Sequence, residues 1–569
     1  MAGTRKLQVT RWVRGRRISA PVSVLAIAAV AVTTIAVTGA FTGAFAAGSA
    51  TPGPTVSRAQ FAQQILKTQA SQVMTSPAQT ALRMQATGTK DLSPGLIPNG
   101  LPGRGQPGAA SGTGGAVTRP AFTNVRVNNP ALDTHEPDQT TQSETTIAVA
   151  GSHVAVGYND SQHTGLALTA ASDLTGYSYS TDGGASFTDG GALPNTPEFV
   201  NFGDPWMTST RTGEMYYSNL AFDMFNDNLD VAVARSANGG KAWGTPVPVY
   251  RPPLSIFYTG DKPALTAGPD PVVKSRDDLY DTWDDFSFDS TTGASFAGLP
   301  VAHSTDGGVT WQLVYAKKFD LTNVTGCSIT QFIGATPIVN PADGTLYVVA
   351  EELSADDPNC TGVPLQRSEW IFQSTDGGNT FGAGVKIADA TEAVPDGLLS
   401  LGPGSYMRDL ELPAIALRGK NIYVAWNDGS LGPSHIRLAT STDGGQTWTA
   451  SFVTNGPLDQ VQPGLSADSS GIHLLYYQRN PDNTLDVLVG NSQDGTTFAT
   501  KRVTTRSFPG TLTVPQFDPI LAFAYMGDYI ANVSDGSHQY FAWGDNRAIV
   551  TDFLFQNGRS DPDVFFAKQ

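Results

Sequence analysis

The octet Ser441-Thr442-Asp443-Gly444-Gly445-Gln446-Thr447-Trp448 recurs along this chain, and no other sequence feature constrains the fold as much. Ser180 to Phe187, Ser304 to Trp311 and Ser374 to Phe381 are full copies; weaker ones start at Ser236, with Asn238 at the Asp position, and at Ser492, with Asp494, Gly495 and Phe498. Copies follow one another roughly 50 to 70 residues apart, and self-similarity at such a period is the mark of a repeat architecture. An Asp side chain can accept hydrogen bonds from backbone N–H groups a few residues on and close a tight turn. The following glycines supply positive φ, and the closing Trp or Phe anchors the hairpin to its sheet.

Between the octets, short alternating apolar runs are separated by Gly, Asp, Asn and Pro, a β pattern. Units are marked at Thr145, Pro205, Pro263, Pro337, Pro413, Pro463 and Tyr529, each read as four strands with the octet after the third. The last unit stops after Asp563 to Gln569, level with the third strands of the others. Phe122 to Asn128, ahead of the first unit, is a surplus strand that can complete it and leave no open edge.

The pattern S-x-D-x-G-x-[TS]-[FW] resembles the Asp-box, or bacterial neuraminidase repeat, of sialidase-like β-propellers, from about Thr123 to the C-terminus. The resemblance implies an all-β, seven-bladed β-propeller at residues 121–569, closed by the N-terminal strand. It also implies that Asp182, Asn238, Asp306, Asp376, Asp443 and Asp494 are scaffold residues and not catalysts. In such a fold the loops bearing Cys327 and Cys360 open onto one face, so a disulfide is expected between these two cysteines.

Ahead of the repeats, residues 1–47 join a basic start (Arg5, Lys6, Arg11, Arg14, Arg16, Arg17) to an apolar run from Ala20 to Ala47. Small residues around Ala44-Phe45-Ala46 suit an export signal; the length of the run also suits an uncleaved anchor. Either places the body outside the cytoplasm, secreted or at the cell surface. Residues 48–120 read as a partly helical, low-complexity linker, with Phe61, Ile65 and Leu66 on one helix face and a Gly/Pro-rich spacer from Leu92 to Pro120. A formal charge of −16 disfavours nucleic acid as partner. No Cys/His metal pattern is present, and a monomer without cofactor is expected. Asp223 to Asp230 and Asp482 to Asp486 are oxygen-rich enough to consider Ca²⁺ but lack its helix-loop-helix pattern.

Candidate chemistry gathers where second strands end and first strands begin. Second strands end in Tyr158-Asn159-Asp160, Trp283-Asp284-Asp285, Trp426-Asn427-Asp428 and Trp543-Gly544-Asp545. Loops leading into first strands carry Glu144, Asp204, Asp261 with Lys262, Arg408 with Asp409 and Glu411, and Tyr525 with Asp528. Carboxylate pairs beside aromatic rings suit glycoside hydrolysis, with Glu411, Tyr525, Asp204 and Asp261 as catalytic candidates. Trp283, Trp426, Trp543, Asp285 and Asp428 would line the substrate. In the sialidase resemblance, Arg408, Arg479 and Arg547 would clamp a sugar carboxylate, with Tyr525, Tyr477, Glu144 or Glu411 in a nucleophilic Tyr/Glu pair. The Arg-Ile-Pro motif of sialidases is absent, and seven units stand where sialidases have six blades. A polysaccharide lyase, or a cell-surface recognition platform whose acids only cap turns, remain alternatives to an extracellular glycan hydrolase.

Overall fold

All six octets fold into the same turn. Ser180 Oγ donates to Asp182 Oδ1 at 2.6 Å and accepts the Gly184 N–H at 2.9 Å, while Asp182 accepts the Ser186 N–H at 3.0 Å and its hydroxyl at 2.6 Å. The same set recurs about Ser304 and Asp306, Ser374 and Asp376, and Ser441 and Asp443. Asn238 reproduces it through Oδ1, and Asp494 in shortened form. Gly183 and Gly184 take φ of 73° and 89°, out of reach of most side chains. The serine, a hub that accepts the N–H groups of the Asp and of the second glycine and donates to the Asp side chain, ties the turn together.

The computed structural model describes residues 57–90, 122–134, 140–165, 167–403, 405–512, 526–551 and 558–569. The apolar N-terminal run, the Gly/Pro-rich stretch and Tyr525 lie outside the described residues. Among these residues no helix is long and apolar enough to cross a membrane.

Most of the described chain is antiparallel β-sheet, arranged as successive four-stranded meanders. The first comprises Gln142–Ala150, His153–His163, Asp173–Ser180 and Thr188–Gly191. The others begin at Trp206–Ser209, Ile256–Pro269, Ile329–Val339, Ala414–Arg418, Gln460–Asp468 and Ala531–Ser534. A single parallel pairing, Thr259 with Leu229, fuses the second and third sheets. Each first strand touches the first strand of the next sheet, and Ala531–Ser534 touches Gln142–Ala150. Val125–Arg126 pairs with the C-terminal strand Arg559–Lys568, Val125 opposite Phe566. Asn128 reinforces this junction by donating to Asp563 at 2.9 Å and accepting from the Val564 N–H at 3.0 Å.

Tyr158, Trp283, Trp426 and Trp543 are fully buried. Each contributes to an apolar cluster; Trp426 packs with Val349 and Ile371 of the preceding sheet, for example. The cysteines form the expected disulfide, Cys327 to Cys360, with Cα atoms 4.9 Å apart.

Part of the predicted linker is integral to this body. Arg58–Lys67 (α1), Ala70–Val73 (α2) and Ser76–Thr87 (α3) form a helical hairpin. Ser57 and Gln60 close a capping box at the start of α1, Thr75 caps α3, and Gly88 ends it in left-handed conformation. Phe61 stacks on Phe288 at 5.3 Å and meets Phe257 edge-on at 5.8 Å. Phe61, Ile65, Leu82 and Met84 are buried against the second and third sheets. The expected apolar face of α1 is thus present, seated on the β body.

Candidate functional site

The first strands share a backbone irregularity that builds a site. At or just before them, Glu144, Asp204, Lys262 and Gln462 take φ of 52°, 55°, 49° and 51°. Gly334 and Gly527 occupy corresponding places with φ of 64° and 92°. Left-handed backbone is costly for residues with a Cβ, and its recurrence outside glycine points to a functional constraint. Strand register shifts at Ser143/Thr146, Asp261/Ala264, Ile333/Thr336 and Val461/Gly464. Such bulges re-aim side chains, and Pro263 and Pro463 sit within two of them.

The re-aimed side chains meet across the molecule. Lys262 of the third sheet pairs with Asp528, ahead of the seventh, at 2.5 Å. Arg408 lies 3.4 Å from the same carboxylate. A small separate sheet positions Arg408: Ser405–Arg408 pairs with both Leu398–Ser400 and Thr511–Leu512. Gln462 Nε2 donates to the carbonyls of Arg408 and Gly527 at 3.1 and 2.8 Å. Glu144 accepts the Asp528 N–H at 3.2 Å and the Asn159 amide at 2.9 Å, and Asn159 Oδ1 accepts the Asp204 N–H at 2.8 Å. Glu144, Asp204, Asp261, Lys262, Arg408, Gln462 and Asp528 are all buried.

Charge is unbalanced here. Asp204 takes no hydrogen bond from a donor group; burial, followed by the charges of Glu144 and Asp261, holds its carboxyl well above the ordinary range. Asp284 is raised by burial and by Asp261. Asp261 is raised by burial against the opposing pull of Lys262. For Lys262, burial lowers the affinity for its proton, but Asp528 and Asp261 outweigh it and keep the ammonium charged. The Tyr529 phenol is pushed up by burial and by Glu144 and Asp204; it donates to the Pro205 carbonyl at 2.8 Å and packs on Trp206. Asp204, its proton held by burial, thus stands beside Glu144, a second buried carboxyl that has two fixed donors.

Of the sequence candidates, Asp204, Asp261 and Arg408 belong to this cluster. Glu411 does not: it pairs with Arg367 at 2.7 Å in a second buried group with Glu351 and Glu369. The three arginines expected to form a clamp each lie beside a carboxylate, Arg408 beside Asp528 as above. Arg479 pairs with Asp459 at 3.1 Å, and Arg547 is held by Asp545 of its own strand and by Asn124. Trp283, Trp426 and Trp543 are fully buried and pack in apolar clusters. Asp285 accepts the Tyr315 hydroxyl at 2.7 Å, and Asp428 accepts from Arg437 and the Ser430 N–H, both at 2.9 Å. Asp428 also accepts the Thr391 N–H from the end of the preceding sheet at 3.3 Å. Tyr477 is buried and donates to the Gly544 carbonyl.

Sequence reading did not single out Gln462 or Tyr529 for the site. Their signal was positional: each lies where a first strand begins, the point that already supplied Glu144, Asp204 and Lys262.

No protein-family model matches the chain, and no curated protein matches it. Among solved structures, a protein of unknown function from Dyadobacter fermentans is similar at 12% identity with a TM-score of 0.41, covering 79% of this chain and 98% of that one. The α-L-arabinofuranosidase of Fusarium graminearum with an iminosugar inhibitor is similar at 11% identity and a TM-score of 0.39, covering 66% and 93%. The phage phi92 endosialidase is similar at 10% and 0.41, covering 79% and 68%. Likeness at this level leaves the chemistry to be read from the chain's own side chains.

Proposed function

We propose that this chain is an exported, closed seven-bladed Asp-box β-propeller that binds extracellular glycans and hydrolyses a glycosidic bond at the buried cluster. Ring closure is supported by the pairing of Val125–Arg126 with Arg559–Lys568 and by the cyclic succession of first strands. Export is supported by the disulfide.

The observation that carries the reading is the Glu144–Asp204 pair. Asp204, uncharged because it is buried beside like charges, donates its proton to the departing glycosidic oxygen. Glu144, which accepts from the Asn159 amide and the Asp528 N–H, is the second carboxyl of the pair and serves as base toward water. Water supplies the hydroxyl to the anomeric carbon and, at the end, the proton that restores Asp204. With Arg479 and Arg547 engaged elsewhere and Arg408 beside Asp528, the substrate is a neutral glycan and not a sialoside or uronate chain.

One observation favours a second reading, a recognition platform without catalysis: the cluster lies beneath the helical hairpin and is buried. A panel of neutral polysaccharides, acidic polysaccharides and sialosides separates the two. The hydrolase produces new reducing ends from a neutral glycan. Glu144→Gln lowers that rate 100-fold or more while retention on the same glycan persists. Sialic acid release abolished by Arg408→Ala would restore the sialidase reading, and unsaturated uronate absorbance the lyase. Retention without any product would leave the platform.

A further inference from the structure

The turn between α2 and α3 is the only part of the described helical hairpin whose hydrogen bonds reach the buried cluster, and it does so as a ligand would. Both oxygens of Asp261 are taken by one residue: the Thr75 N–H donates to Oδ2 at 3.0 Å and the Thr75 hydroxyl to Oδ1 at 2.6 Å. The Met74 carbonyl next to it accepts from the Arg408 guanidinium. Met74 and Thr75 are fully buried. Two adjacent donors on one carboxylate, beside an acceptor on a guanidinium, are also what neighbouring sugar hydroxyls would present.

The polar and aromatic anchors of the hairpin gather on one side, while Val73 also joins an apolar cluster with Ile333 and Leu410. These anchors are Phe61 on Phe257 and Phe288, Arg58 on the carbonyl of Leu254, Gln85 on that of Asp227, and Gln69 on that of Val363. All lie in the second to fourth sheets. Toward the fifth to seventh sheets, its described polar contact is Arg408 alone.

We propose that the hairpin is an internal ligand, Met74 and Thr75 occupying the binding site of a neutral, hydroxyl-bearing ligand until the hairpin is displaced. The identity of that ligand rests on the glycan reading above; the masking of Asp261, Lys262 and Arg408 does not. A protease recognition sequence inserted between Gly114 and Gly115 of the full chain, combined with Thr75→Val, tests it after cleavage. Labelling of Lys262 by a water-soluble amine reagent is followed by mass spectrometry, together with retention on immobilised neutral polysaccharides. Labelling should rise at least tenfold over the intact chain, and a synthetic peptide of residues 57–90 should restore protection. Retention should rise in parallel and be competed by the same peptide. Lys262 that stays protected after cleavage overturns the proposal, as does labelling that the peptide cannot reverse, which would report unfolding. Measurable retention that is the same for intact and cleaved chains also overturns it. Reversible labelling with no retention in either state upholds the masking and removes the glycan reading.

Discussion

Glu351 and Glu369 stand directly opposite each other on neighbouring strands, both fully buried, with Glu411 and a single arginine, Arg367, beside them. Like charges facing across a sheet repel, and neither oxygen of Glu369 accepts a hydrogen bond. Burial and the charges of Glu351 and Glu411 raise Glu369 well above the ordinary range, and burial first of all lifts Glu351 to about 8. Glu369→Gln removes a carboxyl the site cannot keep ionised and lets Arg367 serve the remaining two. It should stabilise the protein at pH 8 by about 1–2 kcal/mol and do much less at pH 5. Chemical denaturation at both pH values measures the difference; destabilisation at pH 8 would show that the ionised side chain is needed. Nothing in the local sequence of Glu351 or Glu369 marks them out, since their pairing is a matter of strand register.

The octet turn is the element where sequence reading went furthest. The Asp, the glycines and the closing aromatic were each given their role from the sequence, and the hydrogen bonds match. The serine was the part missed: its hydroxyl is the hub on which both the Asp side chain and a glycine N–H converge. Ser441→Ala leaves the Gly445 N–H buried without its acceptor and should cost about 1–3 kcal/mol. Asp443→Asn should cost less, because Asn238 already holds the same turn in the second sheet. Denaturant midpoints of the two variants, compared with the parent, check the order; a larger loss in Asp443→Asn would make the carboxylate, and not the serine, the keystone. The hairpin α1 to α3 was legible only as helices. Its apolar face was visible at Phe61 and Ile65, but the surface that buries it comes from Phe257 and Phe288, far along the chain.

For the whole molecule, two groups of carboxyls respond to pH in opposite directions. Asp182, Asp443 and Asp494 are held below the ordinary range by hydrogen bonds inside their turns. Their contribution is present above the unfolded value of 3.8 and is lost as pH falls through the lower folded value. Asp173 and Glu351, pushed up by burial to about 7 and about 8, act the other way: their contribution is full below the unfolded values and is lost as pH rises through the folded ones. For buried Asp173 and Glu351, each proton changes stability by at most about 1.4 kcal/mol per pH unit. Stability should therefore peak between about pH 4 and 6, with a higher melting temperature at pH 5 than at pH 8. A melting temperature that climbs steadily from pH 5 to 8 would contradict the burial of these acids.

The sequence by itself determined the β class, the repeat and its turn chemistry, the strand that pairs with the C-terminus, and the cysteine pair. Those follow from local hydrogen bonding and from a period, both of which are written in consecutive residues. It also named Glu144, Asp204, Asp261, Lys262, Arg408 and Asp528 as residues at the heads of first strands. Only the tertiary structure decided which of them meet. A one-residue bulge turns Glu144 and Lys262 inward, whereas Arg479 and Arg547 find a carboxylate on their own sheets before they can converge, and the tryptophans are consumed by packing. The tertiary structure also decided that Thr75, far away in a segment without repeats, fills the carboxylate of Asp261. Such an outcome depends on competition among distant partners for the same charge and the same buried volume, and no local pattern encodes it.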